Sequence, residues 1–304
     1  MRKKNHLIKK FLILSPEYHE PSATMNETQG VCNICGWKGT FLLQERDREG
    51  TVCRNCSSSS RHRAVIHALG LVLERASHPL FEWPADKSVI ILESSARGPY
   101  PVMLADKFDY YGTEFDPSKI AANAAPRSFA DFQKLHYADE TFRVVIASDV
   151  FEHVRKDEEG YREILRALKP GGALILTVPY NHDQPATVHR VDTSGNEDIH
   201  ILEPEYHGGG GHTLTYRNYG RDLLTLLNRI GFSVVHLTVD IPSCGITRQS
   251  VIVGYKGDAA DLHLGAAPEL PGKTIGILFP YRIYLLVKYN LRGFLQYWKQ
   301  VKRS

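Results

Sequence analysis

No stretch of this 304-residue chain is apolar for long enough to span a bilayer. Its first apolar patch, Leu7–Leu14, is broken by Lys9 and Lys10 and lacks the small-residue cleavage site of a secretory signal. A cytoplasmic protein is expected. Acid is missing from both ends. Residues 1–10 carry five Lys or Arg and residues 273–304 carry seven, with no Asp or Glu in either. The net charge of +3 therefore hides a body of −9 between two basic ends. A net negative body argues against a broad nucleic-acid footprint. Basic ends suit contact with an anionic surface. Cysteine is scarce as well. Four of the five cysteines form two C-x-x-C pairs, which suits a metal in a reducing compartment better than disulfides. A hydrophobic content of 42% with 23% charge leaves a globular chain, long enough for one main domain and a small module.

The small module is expected at residues 30–60. Cys32-Asn-Ile-Cys35 and Cys53-Arg-Asn-Cys56 are separated by 17 residues. Two such knuckles bring four thiolates together, a donor set for tetrahedral Zn²⁺ with no open position, hence structural. Gly36 and the small residues after Cys56 let backbone amides turn toward the sulfurs. A redox pair would need only one C-x-x-C. So small a ribbon has little core, and the metal supplies its fold. Cys244 lies far off as a lone thiol. Residues 1–29 read as a basic, flexible leader. Arg61-His62-Arg63 opens a helix to about Ala76, with Val65, Ile66, Leu69, Val72 and Leu73 inward. Residues 61–85 are this connecting helix and a proline-bearing linker. Arg61 and Arg63 are expected to bridge helix and ribbon rather than to wall a ligand pocket.

The rest is organised around Phe142–Tyr180. RVVIAS is a short, β-branched apolar run and reads as a buried strand. Val150–Leu168 follows with apolar residues at helical spacing. Lys169-Pro-Gly-Gly172 stops that helix, and ALILTV is the next strand. Strand, helix, turn and strand make a parallel βαβ unit, whose chemistry belongs at the strands' carboxyl ends. Ser148, Asp149 and Pro179-Tyr180-Asn181 sit there.

The pattern D-V-x-E-H-V, an amphipathic helix, then L-K-P-G-G-x-L-x-L-x-V-P closely resembles the class I S-adenosylmethionine-dependent methyltransferases, over roughly residues 86–255. The segment Cys53–Leu73 resembles a subgroup of them in which a cysteine ribbon and an R-H-R helix lead into the catalytic domain. The resemblance implies an α/β, doubly wound, Rossmann-like domain over 86–256, with seven strands and the last antiparallel, beside the zinc ribbon. It implies S-adenosylmethionine as cofactor. Glu93-Ser94-Ser95-Ala96-Arg97-Gly98 occupies the place of the family's glycine-rich cofactor loop, with its glycines reduced to Gly98; left-handed conformations are costlier there without glycine. Glu114, ending the strand Asp109–Thr113, takes the position that accepts from the ribose hydroxyls, with Phe115 beside the adenine. Asp131 takes the position that meets the adenine amine, and Phe132 offers its backbone amide; Asp131 could equally cap the following turn. Ser148 and Asp149 face the methionine part of the cofactor. An E-H pair holds a divalent ion in some quinone-precursor O-methyltransferases, but Glu152 and His153 are read here as scaffolding and as a packing or capping residue.

Residues 181–215 form an insert without obvious secondary structure, holding five of the fourteen histidines. An insert after the fifth strand can build the acceptor pocket. Histidine is the natural base near neutral pH, and the candidates are His207, then His200 and His212. Tyr219–Ile230 reads as an amphipathic helix, and Phe232–Thr238 with Gln249–Tyr255 as the closing hairpin. Residues 257–304 form a tail, aromatic and basic from 273 on, suited to peripheral contact with the inner face of a membrane or to packing in a homodimer. The expected activity is methyl transfer to a small-molecule, sugar or glycan- or lipid-linked hydroxyl. RNA or protein methylation with the ribbon as substrate reader is the alternative among enzymes. A non-catalytic adaptor on a degenerate fold is the alternative outside them.

Overall fold

A computed structural model describes residues 26–44, 48–115, 129–207 and 212–257. The tail and nearly all of the leader lie outside the described residues, and with them the expectations of membrane contact and of a tail-mediated dimer. Among the described residues no helix is long and apolar enough to cross a membrane.

The chain begins with an antiparallel hairpin, β1 (Asn26–Val31) and β2 (Lys38–Leu43), whose turn carries Cys32 and Cys35. Helix α1 (Ser60–Val72) follows the second cysteine pair. Ser59 caps it, and His62 closes a capping box by reaching back to the Ser59 amide. It ends four residues before the expected Ala76. Strand β3 (Ile90–Ser94), helix α2 (Pro101–Lys107), β4 (Asp109–Thr113) and β5 (Phe142–Ser148) lead to α3 (Asp157–Ala167) and β6 (Leu168–Thr177).

Three short antiparallel ladders lie in and beside the insert: β8 (Val191–Asp192) with β9 (Ile199–His200), β10 (Tyr206–His207) with β11 (Thr213–Leu214), and β12 (Arg217–Asn218) with β7 (Val188–His189). The described part of the insert is therefore hydrogen-bonded rather than structureless. Two-residue ladders carry no periodicity that a sequence reading could detect. Helix α4 (Asp222–Ile230), β13 (Phe232–Ile241) and β14 (Ile246–Lys256) complete the described chain.

One six-stranded sheet runs in the order β13-β14-β6-β5-β3-β4. β4, β3, β5 and β6 are parallel, while β14 is antiparallel to both its neighbours. Seven strands are expected; among the described residues the sheet has six, and a parallel bridge from Glu114 to Phe129 lies outside these strands. Side chains alternate cleanly between the two faces. Val144, Ile146, Ala173 and Ile175 join one core with α1 and the ribbon residues Cys32, Ile34, Phe41 and Cys53. Val145, Ala147, Leu174 and Leu176 join the other with Tyr161, Ile164, Leu223 and Leu227. Burial on both faces explains why these strands read as continuous apolar runs.

The helix expected over Val150–Leu168 is interrupted. A 3₁₀ turn covers Phe151–His153, and α3 starts only at Asp157. The buried Arg217 guanidinium is the reason. It donates to the carbonyls of Phe151, Val154 and Arg155, groups an α-helix would have used internally. Leu168–Thr177 pairs as one strand, and its partner register jumps between Phe142 and Val144, so the Lys169–Gly172 segment is absorbed as a bulge.

Candidate active site and metal centres

The two cysteine turns repeat one another. Gly36 and Ser57 donate their N–H to the carbonyls of Cys32 and Cys53, both at 2.9 Å. Cys32 and Cys53 in turn donate to Trp37 and Ser58 at the same distance. Gly36 and Ser57 both have positive φ, 72° and 59°. The Sγ atoms of Cys32 and Cys56 lie 3.8 Å apart, as do those of Cys35 and Cys53, and all four fall within 4.8 Å of one another. Thiolates about 2.3 Å from one tetrahedral ion are separated by about 3.8 Å. The donor set and its spacing therefore fit Zn²⁺, and the distances exclude a disulfide. Arg63 closes the module from below. It is fully buried and donates to the carbonyls of Ser58, Thr51 and Gly245, the last at 2.7 Å, with its guanidinium 5.0 Å from the Phe41 ring. It thus ties the ribbon to the β13–β14 connection.

Arg61 does more than the expected bridging. It pairs with Glu49 of the ribbon, and also with Asp149 Oδ2 at 3.2 Å and Ser148 Oγ at 2.5 Å. Arg48 reaches Asp149 Oδ1 at 2.6 Å, and the Thr177 hydroxyl donates to the same oxygen at 3.1 Å. Asp149 itself has a φ of 52°, which for a residue other than glycine costs on the order of 1–2 kcal/mol. Two guanidiniums from the N-terminal module thus converge on the end of β5. The R-H-R motif pointed toward Arg61. Nothing in the sequence marked Arg48.

At the end of β3 the Glu93 carboxylate is buried beneath the loop and accepts from Tyr100 at 2.7 Å and Tyr110 at 2.5 Å. Burial pushes it up to about 7, against the opposing pull of the two hydroxyls. Ser94 is buried. Ser95 adopts φ 56°, taking the left-handed conformation that glycine would supply, and donates its N–H to the Thr113 carbonyl at 2.8 Å. Gly98 has φ 113°, and a Cβ there would lie 2.9 Å from His62 Nε2. Glu114 is half exposed; its carboxylate pairs with Arg97 at 3.1 Å and its carbonyl accepts from the Ala130 N–H at 3.3 Å. The loop, Glu114 and the segment holding Asp131 are therefore neighbours. Asp131 Oδ1 accepts the Gln133 N–H at 2.9 Å, the turn-capping role. The exposed Phe115 ring lies 6.2 Å from Phe129, whereas the Phe132 ring is buried against Phe151.

Glu152, read from the sequence as scaffolding, is 1% exposed, and among the described residues neither carboxylate oxygen has a hydrogen-bond partner. Burial pushes its carboxyl up to about 8, helped by the nearby Asp149 charge. His153 accompanies it, 3.9 Å away, and His207 of β10 packs on the His153 ring at 4.7 Å between centroids. Of the three candidate histidines only His207 comes here. His200 is exposed on β9, and His212 is an exposed residue before β11.

A family model described as a methyltransferase domain matches residues 95–176. Comparison with curated proteins gave no match. Among solved structures, an S-adenosylmethionine-dependent methyltransferase from Mesorhizobium loti is 14% identical, with 65% of this chain and 98% of that one aligned at a TM-score of 0.39. A chain of the complex between the Haloferax volcanii Trm112 methyltransferase activator and a methyltransferase is 16% identical, over 66% and 96%, with a TM-score of 0.37. The CMeT domain of the citrinin polyketide synthase is 16% identical, over 67% and 55%, with a TM-score of 0.40. At these values the likenesses carry no residue role to this chain. The matched segment lies on a sheet of six strands whose last strand in the chain, β14, is antiparallel, as expected. Residues 95–176 thus match a methyltransferase domain and lie within the mixed six-stranded sheet.

Proposed function

We propose that this chain is a methyltransferase that binds S-adenosylmethionine along the carboxyl edge of β4, β3 and β5 and transfers its methyl group to an acceptor hydroxyl held under the insert. A sugar or a glycan- or lipid-linked hydroxyl is the preferred acceptor class. The observation that carries the donor reading is the methyltransferase match over residues 95–176, which spans the edge where the 94–98 loop, Glu114 and Asp131 are neighbours. The bound donor supplies a methyl on a sulfonium, displaced in line by the acceptor oxygen. The chain's part is alignment in a dry pocket.

Glu114 is an acceptor-only carboxylate, suited to a diol. Its pairing with Arg97 involves two half-exposed groups and is worth at most about 1 kcal/mol, so a ribose can displace it. Asp131 holds its turn through Oδ1, which leaves Oδ2 for the adenine amine. Arg48 and Arg61 hold Asp149 toward the strand end and neutralise it there. The hydroxyl must lose a proton, and His207 is the insert histidine that stands beside the edge with Glu152 and His153. The missing glycines were the argument for a non-catalytic adaptor. Ser95 takes the left-handed turn without one, which weakens that argument.

The ribbon is proposed to hold one structural Zn²⁺ on Cys32, Cys35, Cys53 and Cys56, supported by the sulfur spacing. Cytoplasmic residence, with the tail at a membrane face, stays part of the proposal. Isothermal titration with S-adenosylhomocysteine tests the donor site: binding near micromolar affinity is expected, and no binding returns the adaptor reading. Metal analysis should find zinc that is lost in Cys32→Ser.

A further inference from the structure

The second cysteine turn is bracketed by two arginines, Arg48 five residues before Cys53 and Arg61 five after Cys56. The Arg61 N–H donates to the Arg48 carbonyl at 3.1 Å, and the Ser60 N–H to the Gly50 carbonyl at the same distance. Cys53, Cys56 and both arginines therefore share one loop, closed at its base. Both guanidiniums leave the module and end on Asp149, Arg48 on Oδ1 at 2.6 Å and Arg61 on Oδ2 at 3.2 Å. Arg61 also donates to Ser148 Oγ at 2.5 Å. His62, the next residue, stands against the 94–98 loop, where a Cβ on Gly98 would lie 2.9 Å from its Nε2. Ser94 is level with Ala147 in the β3–β5 ladder, so Ser148 and Asp149 continue beside that loop. The cysteine module thus walls the strand ends along which the donor is proposed to lie.

Arg48, Asp149, Arg61 and Glu49 form a chain of alternating charge whose sum is zero. Such a set offers a cation site and an anion site side by side. A zwitterion that enters it exchanges partners and leaves no charge unmatched, whereas a ligand of one sign would strand one group. Arg61 is anchored by Glu49 and Ser148. Arg48 is the freer of the two, its side chain 35% exposed against 15% for Arg61. Asp149 is held at φ 52°. Residues other than glycine persist there only where their surroundings over-determine them, and such positions cluster at ligand clamps.

We propose that Arg48 and Arg61 bind the α-carboxylate of the donor's amino-acid end while Asp149 takes its α-ammonium, so that the cysteine module completes the donor site. This site rests on the methyltransferase reading for the identity of the donor, and it gives the R-H-R motif a role in binding beyond its role in packing. The ammonium displaces Arg48 from Asp149 Oδ1, and the released guanidinium turns to the carboxylate. Arg61 stays in place as the second donor of hydrogen bonds. A planar guanidinium suits a carboxylate in a way that an ammonium side chain would not. The module is then neither a remote stabilising unit nor a reader of the acceptor alone. Whatever loosens its loop, loss of metal from the four cysteines included, lowers donor affinity, and by linkage bound donor tightens the loop.

Two ligands separate this role from a structural one in isothermal titration of the full-length protein. S-adenosylhomocysteine carries the amino-acid end, whereas 5′-methylthioadenosine keeps the nucleoside and thioether and lacks that end. The parent should bind the first more tightly. Arg48→Gln and Arg61→Gln should each weaken S-adenosylhomocysteine by roughly tenfold to a hundredfold, as expected for lost hydrogen bonds to a charged group. Both variants should leave 5′-methylthioadenosine unchanged, and that unchanged ligand reports an intact nucleoside site. The proposal is overturned if S-adenosylhomocysteine affinity survives either substitution, or if both ligands weaken alike, which is the mark of a merely structural contact. A parent that binds neither ligand counts against the methyltransferase reading, whereas a parent that binds both equally counts against this site alone.

Discussion

Replacing Arg63 by Met removes a buried side chain that fastens the cysteine module to the β13–β14 connection. The guanidinium is fully buried, and it serves three backbone carbonyls and the Ser58 hydroxyl, at 3.0 Å, in one fork. Met retains much of the volume over Phe41 but none of the donors. Each stranded carbonyl costs about 1–3 kcal/mol. Relief from desolvating a buried cation offsets part of that, several kcal/mol in the general case. The cation also faces the cysteine cluster, where a zinc–tetrathiolate centre would carry −2, so its loss leaves that charge unbalanced. A net loss of about 3–5 kcal/mol is expected, the range seen when one side of a buried charged network is removed. For a domain of this size that lowers the melting temperature by roughly 10 °C. The assay is urea and thermal unfolding of metal-loaded protein, with zinc content measured on the same samples. Arg63→Lys restores the charge but not the fork and should recover only part of the loss. An Arg63→Met protein within about 1 kcal/mol of the parent, with its zinc intact, would refute the idea that this contact couples ribbon and sheet.

Other outcomes follow from the same geometry. The folded-state carboxyl of Glu93 is raised to about 7 from an ordinary 4.5. Its contribution is therefore fully present below about pH 4.5 and is lost as pH rises through 7, by about 3 kcal/mol. The stability difference between the parent and Glu93→Gln, read from urea midpoints between pH 4.5 and 8, should change by that amount; a flat difference rejects the assignment. Glu114→Ala should weaken S-adenosylhomocysteine by tenfold or more, since hydrogen bonds to a charged group contribute about 1.5–3 kcal/mol; unchanged affinity in titration calorimetry means that β4 does not meet the ribose. Gly98→Ala forces a Cβ against His62 at φ 113° and should cost about 1–2 kcal/mol in unfolding experiments, with weaker donor binding; a neutral substitution would show that the loop has another conformation.

Much of the scaffold was legible because its signals are local. β4 matches the expected Asp109–Thr113 residue for residue, since a β-branched or aromatic run closed by a turn needs no distant information. The two C-x-x-C turns announced themselves by spacing. Boundaries moved where a distant group intervened. The first turn of the helix after β5 was lost to Arg217, a residue more than sixty positions downstream, and no local pattern records that competition. The insert was opaque because its ladders are two residues long and its order comes from side chains such as Arg155, Asp198 and Tyr216, which meet only when folded.

By itself the sequence determined the parallel strand–helix–strand unit around residues 142–180, the strand ends beside it and the close grouping of four cysteines. All of these follow from period, turn composition and short spacing. Only the tertiary structure decided that Arg48 and Arg61 reach Asp149, that His207 rather than His200 or His212 joins Glu152 and His153, and that Glu152 is buried without a partner among the described residues. Contacts between residues fifty to a hundred positions apart are selected by how whole elements pack and by which buried polar groups are satisfied, and neither is written in any local stretch of the chain.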